Sequence, residues 1–79
     1  MPGKPTRGSV TITNNSGAPY IVEELGGLAL EDSESIDLLA EENEPYYSTF
    51  ADAKRLVTEC TTAQLYQDIQ AGKISVTIT

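Results

Sequence analysis

The chain has 79 residues, enough for one small domain that buries only about 60% of the surface its unfolded chain exposes. Its net charge of −7 argues against binding nucleic acid or an anionic membrane surface, both of which call for Lys and Arg. Cys60 is the single cysteine and there is no histidine, which excludes an intrachain disulfide and an ordinary zinc site. The remaining means of support for so small a core is a partner surface, supplied by another copy or by a different protein.

Residues 1–8, MPGKPTRG, hold two prolines and two glycines and cannot form a regular helix or strand interior. They read as an extended arm, with Lys4, Pro5 and Arg7 as partner-binding candidates, and residues 9–79 read as a single domain. Ser9–Thr13 then alternates, with Val10 and Ile12 on one face and Ser9, Thr11 and Thr13 on the other, as a half-buried strand does. The NNSG stretch supplies turn residues and APYIVEEL resumes an extended run, so a hairpin is expected here. Asn14-Asn15-Ser16 matches a glycosylation acceptor, but no export signal precedes it and a chance match is the expectation.

Gly26-Gly27 breaks the chain, LAL is a short strand, EDSE a turn and SIDLL a further extended segment. Pro45 forbids a helix through the polar stretch before it. STFADAKRLVTE has Phe50, Ala53, Leu56 and Val57 at helical spacing, with Ser48 or Thr49 as the cap. In the next segment Thr61 and Gln64 form a capping box, Cys60 and Leu65 a hydrophobic staple, and Gly72 the C-terminal cap.

The last five residues, Ser75–Thr79, repeat the pentapeptide Ser9–Thr13. Nothing flanking the two copies agrees, so this is no internal duplication. Two strands of one sheet, each apolar on one face, meet the same requirement, and Ile74, Val76 and Ile78 are expected to face the core. The whole is an α+β fold: a small sheet of four to five short strands, the N-terminal hairpin and C-terminal strand included, with two short helices. The last strand suits a sheet edge where another chain adds a strand, which makes Ser75, Thr77 and Thr79 partner-binding candidates.

Nine of the twelve acids lie between Glu23 and Glu44, with no base among them. A calcium loop starting at Asp32 fails, because its fifth position is Ile36 and its sixth is Asp37 in place of glycine. The run reads as a solvated acidic face, ahead of one that docks on a basic partner. Gly26-Gly27 lacks the Lys-Ser/Thr of a phosphate loop, and Cys60 lacks a histidine to activate it. No catalytic, cofactor or metal residue is assigned, and the chain reads as a non-enzyme. Tyr46 and Tyr47 are adjacent in extended chain, so one of them faces solvent; both are partner-binding candidates.

The order IVEELGGLAL, polar turn, ESIDLL, short helix and LYQDIQAGKISVTIT resembles small tailed-bacteriophage virion proteins and fibre-anchoring domains over residues 9–79. The family pattern runs as -EDLG-I-L--G---DL, a short helix, then -L---I--G-I-V. Glu24, Leu25 and Gly26 match its first block, Ile36, Asp37 and Leu38 its second, and Leu65, Ile69, Gly72, Ile74 and Val76 its third. The chain departs from it in the extra Gly27 and the longer link AEENEP. The resemblance implies a non-enzymatic decoration, neck or fibre-attachment component of a virion. It would be made in the host cytoplasm and present in many copies or as a homo-oligomer. A different class, an acidic inhibitor that mimics nucleic acid in the basic groove of a host or defence enzyme, is the alternative.

Overall fold

A computed structural model describes residues 8–43, 45–47 and 49–79 of the chain. Five short strands alternate with turns and two helices: β1 (Val10–Asn14), β2 (Tyr20–Val22), β3 (Leu28–Leu30), β4 (Ser35–Asp37), α1 (Phe50–Thr58), α2 (Gln64–Gln70) and β5 (Ile74–Ile78). One-turn 3-10 helices lie at Glu23–Leu25 and Glu41–Asn43. The class is the α+β one expected from the sequence.

The strands form two antiparallel sheets: a three-stranded one in the order β4-β1-β5, and a hairpin of β2 with β3. The N-terminal hairpin expected within a single sheet is therefore absent, because β2 pairs forward with β3. The reason lies in β1, whose two sides are already filled by β4 and β5. Asn14 ends that strand in phase with Val10 and Ile12, so its side chain points inward and is fully buried. Its Nδ2 reaches the carbonyl of Ala18 at 2.8 Å, while Oδ1 accepts from Ser16 N–H and Oγ. The NNSG segment is thereby bent into a second layer and not folded back along β1. The hairpin then closes through the 3-10 turn and two left-handed glycines, Gly26 (φ 70°) and Gly27 (φ 88°), a backbone region that costs residues with a Cβ.

The two identical pentapeptides are paired with each other. Val10 lies opposite Ile78, Thr11 opposite Thr77, Ile12 opposite Val76 and Thr13 opposite Ser75. Ser9 and Thr79 exchange backbone bonds of 3.1 and 3.0 Å. The word has hydroxyls at its odd positions and apolar residues at its even ones, so antiparallel self-pairing sets hydroxyl against hydroxyl and valine against isoleucine. Burial breaks this symmetry. Val10 and Ile12, in the middle strand, are inaccessible, Val76 is partly covered, and Ile78 is 38% exposed. The expectation that Ile78 is buried fails because it ends an edge strand with a neighbour on one side only.

Core residues from the three-stranded sheet meet Val22, Leu25 and Leu30 of the hairpin and Ala53, Leu56, Val57 and Leu65 of the helices. Thr49 caps α1 as expected, its Oγ1 accepting from Asp52 N–H at 3.2 Å. The capping box at α2 does not form. The helix starts at Gln64 with Ala63 as its cap, and Gln64 Nε2 donates to Asp68 Oδ1 at 3.1 Å. One of the amides thus left over, that of Leu65, is met from outside the helix by Glu24 Oε2 at 3.3 Å. Gly72 does end α2: it is left-handed (φ 85°), with Gly72 N–H on the Ile69 carbonyl and Lys73 N–H on that of Asp68. This is a Schellman closure, and it leads directly into β5.

Candidate interaction surface

In an antiparallel ladder, successive residues direct their backbone groups to alternate sides. Ser9 with Thr79 and Asn15 with Lys73 are bonded pairs, so Thr77 and Ser75, in the same phase, also face β1. The N–H and C=O of Val76 and Ile78 consequently face away from the sheet, and no strand among the described residues pairs with them. Ile74 shares their phase but is buried, so the accessible edge begins at Val76. The opposite edge is partly covered by its own chain at Asp37. The outward carbonyl of Asp37 on β4 accepts from Ala40 N–H at 3.0 Å and from Asn43 Nδ2 at 2.8 Å, and its carboxylate Oδ1 accepts from Leu39 N–H at 2.9 Å.

Ser75, Thr77 and Thr79, expected at a partner surface, are exposed together on the face of β5 away from the core. Two are engaged locally: Thr79 Oγ1 is 2.7 Å from Ser9 Oγ, and Asn15 Nδ2 donates to Ser75 Oγ. Tyr46 is 49% exposed while Tyr47 packs on the core, as two adjacent aromatics must divide. Tyr46 belongs to the hairpin end and not to β5. A Cβ on Gly26 would come within 2.5 Å of its Oη. Lys4, Pro5 and Arg7 lie outside the described residues. Gly8, assigned with the arm, fits closely against the Phe50 ring and the Thr79 carbonyl.

Several acids of the Glu23–Glu44 run do structural work. Glu24 meets α2, Glu34 Oε1 accepts from Glu31 N–H at 2.8 Å, and Asp37 holds the turn after β4. Among the described residues no three of His, Cys, Asp and Glu converge, there is no pocket, and no helix is long and apolar enough to cross a membrane. Asn14, the acceptor of the glycosylation match, is inaccessible, and its Nδ2 is committed to three carbonyls.

The sequence reading missed two polar residues that organise the interior. The NNSG pattern puts Asn14 in a turn, whereas its phase with Val10 and Ile12 directs it inward. Asp68, buried on α2, accepts from the Tyr20 hydroxyl of β2. Burial chiefly, and then this bond, push the Tyr20 phenol well above the ordinary tyrosine range. Burial, then Glu24 and Cys60, raise that of Tyr47. No sequence signal pairs Tyr20 with a residue 48 positions away.

No protein-family model, curated protein or solved structure matches this chain.

Proposed function

We propose that this chain is a non-enzymatic structural component of a bacteriophage particle that docks on neighbouring proteins through the open edge of β5. The observation that carries the docking mode is the contrast between the two edges of one sheet. On β4 the turn that follows takes up the outward carbonyl of Asp37, whereas on β5 the backbone groups of Val76 and Ile78 have no strand beside them among the described residues. An edge of this kind is a template for strand addition. The assignment to a particle rests on the resemblance described above. The positions that carry it are fold-determining: Leu25, Leu38, Leu65 and Ile74 are buried, and Gly26 and Gly72 are left-handed. Lys4, Pro5 and Arg7 are proposed as further contact residues, because the Lys4 and Arg7 charges would gain little from this chain's own solvated acids, where screening is strong.

The test is mass spectrometry of purified particles from cells carrying the gene at its native locus. Finding the chain in stoichiometric amount supports the reading, and its absence from intact particles removes it. Removing residues 1–7 should lower incorporation while leaving the unfolding curve of the isolated protein nearly unchanged. The acidic mimic has one observation in its favour: Glu23, Glu31, Asp32, Glu34 and Glu42 are exposed without an ion pair among the described residues. Salt separates the two, since a mimic in a basic groove loses affinity steeply with ionic strength and a strand-paired contact does not.

A further inference from the structure

We infer that the occupant of the β5 edge is a second copy of this chain. Its own β5 pairs antiparallel, Val76 of each copy lying opposite Ile78 of the other, with Thr77 opposite itself on a two-fold axis. This rests on the reading of β5 as the working edge and names its partner.

The first argument is the repeated word. Ser-Val-Thr-Ile-Thr already pairs antiparallel with Ser-Val-Thr-Ile-Thr inside the fold, valine opposite isoleucine and threonine opposite threonine. The open side of β5 presents that word again, and the same word on a second copy meets it in the same correspondence. The bonding phase suits the match. Val76 and Ile78 are the residues whose N–H and C=O groups point outward, and each Val76–Ile78 pair then exchanges bonds in both directions. Registers centred nearer Ile74 require a buried residue to be uncovered.

The second argument is charge. From Ser75 to Thr79 there is no charged residue and no proline, so the devices that protect natural edges from self-pairing are missing. Two chains of net charge −7 repel unless their acids are kept apart. In the order β4-β1-β5, Glu34 and Asp37 sit at the far edge of the sheet, so joining through β5 sets these acids on opposite flanks of the pair. The exposed Ile78 gains the second copy's Val76 as a neighbour. A five-residue strand pair falls short of the roughly 800 Å² per partner of a standard interface, so the dimer is weak and reversible.

Sedimentation of the full chain from about 10 µM to about 1 mM should show a monomer–dimer equilibrium that added salt does not weaken. Ile78→Pro removes an outward N–H and no internal ladder bond, and should raise the dissociation constant at least roughly tenfold with an unchanged circular dichroism spectrum. In a Cys60→Ala background, Thr77→Cys should form an intermolecular disulfide under mild oxidation far faster than Ser35→Cys on the opposite edge. A monomer across the whole range overturns the inference, as does a dimer indifferent to Ile78→Pro or equal cross-linking at the two edges. Should Ile78→Pro fail to fold, the cysteine pair decides. Failure here is distinct from failure of the docking reading, which falls if an edge-blocked, folded variant enters particles as well as the natural chain.

Discussion

The side-chain amide of Asn14 donates to the carbonyl of Leu30 at 3.1 Å, a bond that ties the three-stranded sheet to the β2–β3 hairpin. The same Nδ2 meets the carbonyls of Ala18 and Glu31, at 2.8 and 3.1 Å, so one buried amide serves three segments. Asn14→Ala strands these carbonyls and the Ser16 amide, and a buried polar group left unsatisfied costs about 1–3 kcal/mol. The substitution should therefore destabilise by about 3 kcal/mol or more in urea unfolding. Asn14→Asp keeps the acceptor but loses both donors and adds a buried charge, and should be at least as damaging. A loss below about 0.5 kcal/mol for either, within the range of an ordinary surface change, would show that the amide does not hold the two sheets together.

The two copies of the pentapeptide should differ in energetic weight. Ile12→Ala removes a fully buried side chain from the central strand and should cost about 2–5 kcal/mol. Ile78→Ala, at the exposed end of the edge strand, should cost under about 1 kcal/mol in the monomer, since less area leaves water. Equal losses from the two, measured at concentrations where the chain is monomeric, would contradict the edge position of β5.

Stability should fall at alkaline pH through Tyr20. Its folded-state pKa lies above that of the unfolded chain, so its contribution is complete below the unfolded value of about 10. Above that pH the unfolded chain releases the proton first, and the contribution declines as pH rises toward the folded value. Tyr20→Phe should flatten this alkaline limb, leaving the smaller share due to Tyr47. An identical pH profile for the variant would mean that the Tyr20–Asp68 bond plays no part in it.

Two glycines should resist substitution for different reasons. Gly72→Ala puts a Cβ into open space but at φ 85°, and should cost about 1–2 kcal/mol from backbone strain alone. Gly8→Ala meets the Phe50 ring and the Thr79 carbonyl, and should cost about 1–3 kcal/mol by overpacking. Removing the Phe50 ring should relieve part of the second loss and none of the first. Thermal unfolding of Phe50→Ala with and without each glycine change separates the two.

Wherever one short stretch of sequence decides a local structure, that structure was legible. The alternation in Ser9–Thr13 marked a strand and its inner face, because a period of two needs no knowledge of neighbours. Thr49 and Gly72 marked one start and one stop, because caps act within a single turn. Gly26-Gly27 marked a break for the same reason. What alternation leaves open is which strand lies alongside. The tertiary structure placed β4 and β5 beside β1, sent β2 to β3, and let Glu24 supply a cap that Thr61 did not. Burial follows from that choice of neighbours, not from residue type. Val10 and Ile78 face each other in matching words, yet one is enclosed by strands on both sides and the other has β1 alone. The sequence determined two strands able to pair with each other. The packing around them decided which would be enclosed and which would keep an open side.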